Sequence, residues 1–302
     1  MILGILLASV TVFFWGITFV STKVLLADFS ALEILFVRFL IAYLGLWIIH
    51  PKKMKIPLKE NLLFLLAGLS GVTIYQFTEN LAISYTSAAN VSLIVSTCPL
   101  YTAIIAQIFL KEKAITPFFI IGFCLSITGV ALVCMNGNLV MHLSPKGDLL
   151  ALLAAICWGF YSLFVSLLNK KNYDSFCTTR RIFFFALVTM IPLMIFGAFN
   201  GSVDFSLAKN CQRFSKWTSW LNLGFLGLVA SAFCFWSWNK ACDRAGTVRV
   251  TKGIYLCPVV TILFSFLVFK EKITLMGSIG ALATIVGLFI SGIKGKKDLV
   301  VN

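Results

Sequence analysis

Ten long apolar stretches run the length of this chain, and the last five carry the landmarks of the first five in the same order. Trp15-Gly16 and Trp158-Gly159 lie 143 positions apart, as do Arg38 and Arg181. Asn80 and Asn239, Pro99 and Pro258, and the trios Lys111-Glu112-Lys113 and Lys270-Glu271-Lys272 lie 159 apart. One insertion accounts for the change of spacing, and the polar stretch Asn200 to Lys216 sits where it is needed. Five is an odd number, so a second copy of five spans enters the bilayer upside down relative to the first. Repeats of that kind build transporters in which one half rocks against the other around a central site. The expected fold class is an all-α membrane protein of ten transmembrane helices arranged as two inverted five-helix repeats. The expected boundaries are 1–137 and 147–294, followed by a short basic cytoplasmic tail over 295–302.

The bulk chemistry agrees with this reading. A mean hydropathy of +0.97, 60% hydrophobic residues and 12% charged residues are far from the soluble average, which is roughly 45–50% apolar and about 25% charged. The length of 302 residues suits ten spans with short loops, at about 20 residues each. The predicted spans are 3–22, 32–49, 62–83, 88–109, 116–135, 148–168, 179–198, 218–239, 247–269 and 275–293. A net charge of +14 is not a nucleic-acid signature here, because the basic residues occupy short loops and form no patch interleaved with aromatics. Placing the N-terminus in the cytoplasm puts seventeen lysines and arginines on the inside and seven outside, the asymmetry expected of cytoplasmic loops. Lys270 and Lys272 run against it. The first apolar run has no basic residue before it and no small-residue cleavage site, so it is expected to be retained as a span. Nine cysteines, an odd number with no CxxC pair, read as small hydrophobes without a disulfide framework or metal site.

A solute site in such a bundle should appear as polar and aromatic side chains inside spans, because unsatisfied polar groups in lipid are costly. The third span has the densest set: Tyr75, Gln76, Glu79 and Asn80 share one broad face at i, i+4 spacing. Glu79 is the one acid placed inside a span, and two readings stay open. It is a contact for a substrate amine or a carrier of a coupling proton, or it reaches outward as an interfacial anchor. The fourth span aligns Ser92, Ser96 and Pro99, and the ninth aligns Thr251, Tyr255 and Pro258. A mid-span proline removes a backbone hydrogen bond, making Pro99 and Pro258 candidate hinges. Trp15 and Trp158 lie mid-span, away from an interfacial belt, with Tyr161 beside the latter; the eighth span adds Trp238. Arg38 and Arg181 are read as structural, paired with helix ends, with acids such as Glu33, or with lipid phosphates. Lys252 reads as a snorkelling anchor. Small-residue seams in the fifth span (Gly122, Ser126, Gly129) and the tenth (Ala283, Gly287, Ser291) suit bundle packing or a homodimer through either helix.

An enzyme has little to work with. His50 and His142 both fall at loops, and no HExxH, zinc-spaced cluster, Gly-x-Ser-x-Gly elbow or intramembrane acid pair occurs. A passive channel or a membrane-embedded sensor is the rival class, although the rings of charge a channel uses are not visible.

Trp15-Gly16 with Lys23, Arg38-Phe39, Glu79-Asn80-Leu81-Ala82 leading to Tyr85-Thr86-Ser87-Ala88, Pro99 and Lys111-Glu112-Lys113 resemble the EamA-type family of drug/metabolite transporters. Trp158-Gly159, Asn239-Lys240-Ala241, Pro258 and Glu271 resemble a second copy of the module. The resemblance implies a ten-helix inverted-repeat transporter of a prokaryotic cytoplasmic membrane, often an exporter of amino acids or small metabolites. It also implies a cavity between the first, third, fourth, sixth, eighth and ninth helices. Where the family carries Gly-Glu after the fourth and ninth helices, this chain has Lys-Glu. The expected substrate contacts are Trp15, Tyr75, Gln76, Glu79, Asn80, Ser96, Trp158, Tyr161, Trp238 and Tyr255. An aromatic cavity with few charges favours a small amphipathic solute such as an amino acid over a phosphorylated one. No cofactor, metal or nucleic acid is expected; a small-molecule substrate, membrane lipids and a coupling proton are.

Overall fold

The computed structural model describes residues 1–135, 144–204, 206–269 and 274–293, and every regular element among them is helical. Among these residues nine helices are long and apolar enough to cross a membrane. They are α1 (Ile2–Leu25), α2 (Ala31–Ile49), α3 (Leu58–Tyr85), α4 (Asn90–Phe109), α5 (Pro117–Met135), α6 (Pro145–Asn169), α7 (Ser175–Phe199), α8 (Trp217–Ala245) and α9 (Thr247–Phe264). A shorter apolar helix of 17 residues, α10 (Leu275–Ser291), follows. The trio Lys270-Glu271-Lys272, His142 and the stretch 295–302 lie outside the described residues.

The helix starts are set by side chains that answer the free amides of a first turn. Ser30 and Glu33 form a reciprocal capping box on α2. Thr116 Oγ1 accepts from the Phe119 amide at 3.1 Å, and Thr274 Oγ1 accepts from the Gly277 amide at 3.2 Å. These equivalent threonines behave as their sequence positions suggest.

Four helices depart from regular α geometry, in matched pairs. α3 has a π-helical stretch over Leu69–Ile74, and α8 has one over Phe225–Phe233. The expected continuous span over 88–109 is instead interrupted at Ser96 and Thr97, and a new helical segment begins at Cys98-Pro99. In α9 a 3-10 stretch over Lys252–Leu256 precedes Cys257-Pro258. Proline lacks an amide hydrogen and crowds the carbonyl four residues back, so the regular ladder ends just before it.

Packing between the two halves is reciprocal. α1 lies along α8 and α6 along α3; α1 meets α9 and α6 meets α4; α2 meets α8 and α7 meets α3. Exchanging each helix with the one five places on turns these pairs into one another, while α2–α7 and α5–α10 map onto themselves. Individual contacts follow suit. A Cβ on Gly16 would come within 2.5 Å of Val260 Cβ, and one on Gly159 within 3.1 Å of Tyr101, the residue equivalent to Val260. Along the α5–α10 seam Gly122 faces Ser291 and Gly287, while Gly129 faces Thr284 and Gly280, so these helices run antiparallel. The seam found in the sequence is thus used inside the chain, with Gly280 and Thr284 taking the place expected of Ala283.

The insertion before α8 is not a bare loop. It contains a short helix, Leu207–Phe214, whose Arg213 grips both carboxylate oxygens of Glu33 at 2.9 and 2.8 Å and the Asp28 carbonyl at 3.2 Å. This corrects the expected pairing of Glu33 with Arg38: the insertion reaches Glu33 from outside the bundle, whereas Arg38 points inward. At the other end of α2, Arg180 stacks on the Trp47 ring at 3.7 Å and donates to the His50 and Lys52 carbonyls.

Two outcomes follow. Gly129→Leu should cost about 1–3 kcal/mol through overpacking of the α5–α10 seam, because even a Cβ would sit 2.5 Å from the Thr284 amide. Gly224→Ala, where a Cβ meets nothing within 4 Å, should be tolerated; thermal melts of the two purified proteins in detergent compare them. Glu33→Gln should weaken the clamp by about 1.5–3 kcal/mol and expose the Leu207–Phe214 segment to limited proteolysis.

Candidate functional site

Aromatic side chains from α1, α3, α6 and α8 converge at the centre of the bundle. Trp15 lies 5.2 Å from Trp158 and 4.8 Å from Trp238, centroid to centroid. Trp158 in turn meets Tyr75 at 4.9 Å and Tyr161 at 5.0 Å. Offset and edge-on geometries such as these suit the ring quadrupoles. The sequence arranges the meeting locally: the glycine after each tryptophan lets α9 or α4 come in close, turning each indole toward the interior. Trp15 Nε1 then donates to the Ala230 carbonyl, within the π-helical stretch of α8, at 3.0 Å.

Beside this cluster lies a cavity of ≈ 30 Å³ lined by Trp15, Phe19, Arg38, Tyr75, Gln76, Glu79, Ser92, Ser96, Trp158 and Cys257, with Thr18, Val95 and Ile254. On that measure a water needs about 10–15 Å³, so the space suits a few waters and the walls stand drawn together. A solute of amino-acid size requires them to part.

The polar side of the cavity is wired across helices. Arg38 Nε donates to Ser231 Oγ at 2.6 Å and its Nη1 to Gln76 Oε1 at 2.8 Å, joining α2 to α8 and α3. Tyr75 and Glu79 line the same cavity as the Arg38 guanidinium. The wiring is incomplete. Buried atoms without a hydrogen-bond partner among the described residues include Glu79 Oε2, Ser92 Oγ and Trp158 Nε1, and all three residues line this cavity. Buried polar groups are nearly always paired, so an acceptor, a hydroxyl and a donor left open around one cavity describe a polar ligand's outline. Glu79 is only 6% exposed and lies at the cavity wall.

Of the ten expected contacts, Trp15, Tyr75, Gln76, Glu79, Ser96 and Trp158 line the cavity. The other four do not. Asn80 Nδ2 turns away to the Ala31 carbonyl at 3.4 Å, tying α3 to the start of α2. Tyr161 donates to Asn239 Oδ1 at 2.8 Å, and Asn239 donates to Thr179 at 3.0 Å. Trp238 packs behind the two tryptophans. Tyr255 faces the α5 side, with its ring 6.3 Å from Phe123, leaving Ile254 and Cys257 to line the cavity. Arg38, read from the sequence as structural, also lines the cavity. Its position inside an apolar run was the available signal, since an intramembrane ionisable group is functional by default.

One other cluster has metal-ligating chemistry. The ligand atoms of His50, Asp174 and Cys177 lie within 4.8 Å of one another, where α2 ends and α7 begins. Arg180 Nη2 lies 3.6 Å from Cys177 Sγ, and a guanidinium at that distance opposes a dication. The donor set closes on itself, with His50 Nε2 3.4 Å from Asp174 Oδ1.

Comparison with known proteins agrees with the architecture. A solved crystal structure matches with a TM-score of 0.75 at 15% identity, covering 99% of each chain, which shows a shared fold. An uncharacterized transporter of Archaeoglobus fulgidus is 28% identical over 96% of this chain and 97% of its own. A probable amino-acid metabolite efflux pump of Escherichia coli is 26% identical over 98% of this chain and 97% of its own. A probable terminal-alkyne amino-acid exporter of Streptantibioticus cattleyicolor is 24% identical, covering 93% and 90%. The model of the EamA-like transporter family matches residues 2–135 and again 145–293. Matched twice over almost its whole length, this chain belongs to the EamA-like transporter family.

Proposed function

We propose that the protein is a secondary transporter that exports amino acids or similar small amphipathic metabolites by alternating access. It works in the cytoplasmic membrane with both termini inside, as two inverted five-helix repeats. The observation that carries the substrate reading is the open set Glu79 Oε2, Ser92 Oγ and Trp158 Nε1 around one aromatic cavity that also holds the Arg38 guanidinium. A zwitterion matches both charges: its ammonium on Glu79, its carboxylate toward Arg38, its side chain against the indoles. The names of the Escherichia coli and Streptantibioticus cattleyicolor relatives support the same substrate class.

Support for the inverted repeats comes from the reciprocal helix pairing and the antiparallel α5–α10 seam. Support for alternating access comes from the narrow cavity: a passive channel needs a continuous path, and ≈ 30 Å³ enclosed by buried side chains is not one. A proton and an ammonium group compete for the same Glu79 oxygen, which is the elementary requirement for exchanging one for the other. The matched breaks before Pro99 and Pro258 lie where α4 and α9 wall the cavity, and these two positions serve as hinges.

Glu79→Gln should leave membrane abundance unchanged and lower amino-acid flux in proteoliposomes roughly tenfold to a hundredfold, the value of a charge-assisted hydrogen bond of about 1.5–3 kcal/mol. Undiminished flux removes Glu79 from the site. Comparing metabolite export from cells with and without the gene separates a transporter from a sensor, which moves nothing. Pro99→Ala and Pro258→Ala should slow turnover several-fold while substrate binding stays within about twofold, as expected of hinge changes. Equal losses in binding and turnover would make the prolines packing residues instead.

A further inference from the structure

A second cavity, of ≈ 410 Å³, opens on the flank of the bundle between α1, α9 and α10. Its walls are hydrocarbon, including Ile5, Val12, Leu256 and Leu288, and its polar groups are chiefly the cations Arg249 and Lys252. Arg249 lies level with the chain's start, its Nη1 3.2 Å from Met1 Sδ. From there the cavity runs inward to Val12 and Leu256. Lys252 is held in place: its ammonium sits 5.0 Å from the centroid of the Phe119 ring and donates to the Ser291 carbonyl. Among the described residues neither cation has a carboxylate within 4.0 Å.

We propose that this groove binds an anionic phospholipid, with an acyl chain against the aliphatic walls and the phosphate on Arg249 and Lys252. Two observations select that occupant. The groove opens sideways through side chains that are themselves exposed, Ile5 at 46%, Phe289 at 72% and Ile293 at 48%; in a bilayer that opening faces lipid. Two cations without a carboxylate favour a net negative headgroup over a zwitterionic one, since basic pockets between spans attract anionic headgroups. With both termini inside, as proposed above, the site lies in the inner leaflet.

The groove shares an element with the central cavity. In the 3-10 stretch Lys252–Leu256, Lys252, Gly253 and Leu256 face the groove, while Ile254 and the adjoining Cys257 line the central cavity. A lipid in the groove therefore packs against the backbone that must move when the central cavity widens. The transport consequence rests on the transporter reading; the binding site does not.

The test uses the purified full chain in a neutral detergent, titrated separately with short-chain phosphatidylglycerol, short-chain phosphatidylcholine and inorganic phosphate. Thermal melting and native mass spectrometry give the readouts. Phosphatidylglycerol should raise the melting temperature and remain bound as one molecule per chain. The double substitution Arg249→Gln/Lys252→Gln should weaken it about tenfold or more, given roughly 1 kcal/mol per basic residue at an anionic surface. Ser9→Trp, which fills the groove from an exposed position and keeps both charges, should also abolish the response. Equal responses to phosphatidylcholine or to phosphate alone would overturn the proposal, as would an unaltered response in both variants. So would loss of the response on truncation after Ile293, which would place the site on the tail. Disulfide formation between Ile5→Cys and Ile293→Cys of two different chains would assign the groove to a second copy and likewise overturn it. In vesicles, wild-type flux should rise when phosphatidylglycerol is added to phosphatidylcholine, and the double variant's should not. Lipid binding without flux in any vesicle would sink the transporter reading alone.

Discussion

In an apolar helical bundle polar side chains must find their hydrogen-bond partners within the protein, and the longer ones find them on other helices. That constraint organises this molecule around Arg38. A guanidinium has five donors, and here they draw Ser231 from the π-helical stretch of α8 and Gln76 from α3 toward α2. The same face of α3 then presents Tyr75 and Glu79 to the cavity. The structural core and the proposed solute site are one network, and what distinguishes the cavity is the part of the network left open.

Close backbone approach makes this convergence possible. Glycines at Gly16 and Gly159 seat α9 and α4 against the two tryptophan-bearing helices, and both contacts lie at equivalent positions. The α5–α10 seam does the same at the periphery, with four glycines facing backbone across the interface. Among the described residues the π-helical stretches and proline breaks fall in α3, α4, α8 and α9; α3, α4 and α9 line the cavity, and α8 holds two of its lining residues, Trp15 through the Ala230 carbonyl and Arg38 through Ser231. π-helical turns and proline breaks cost regular hydrogen bonds, and they recur where function needs an altered side-chain direction or a place to bend. Here they occur in equivalent pairs, one from each half, so the bending points are arranged as symmetrically as the walls.

Much of this was legible in the residues. Ten apolar runs, their order and the recurrence of Trp-Gly, Asn and Pro led to the family and to helix positions within a few residues. Six of the ten expected contacts line the cavity, because polar and aromatic groups in lipid have few other places to go. The misses share a cause. Asn80 and Tyr161 lie on the right helices, yet each turns to a neighbouring backbone or side chain that only packing supplies. Glu33 was one of the partners expected for Arg38, while the residue that takes it, Arg213, comes from 180 residues away.

The sequence by itself determined the class of molecule: a chain this apolar must satisfy its backbone in helices, and two copies of one module, over 2–135 and 145–293, must pack against each other. It also determined which residue types are available to meet a solute. Only the tertiary structure decided which of them face the same space. Side-chain direction depends on where π-helical turns and proline breaks rotate the helix, and on which glycine admits which neighbour. Those are properties of pairs of helices, and a periodicity read along one chain does not contain them.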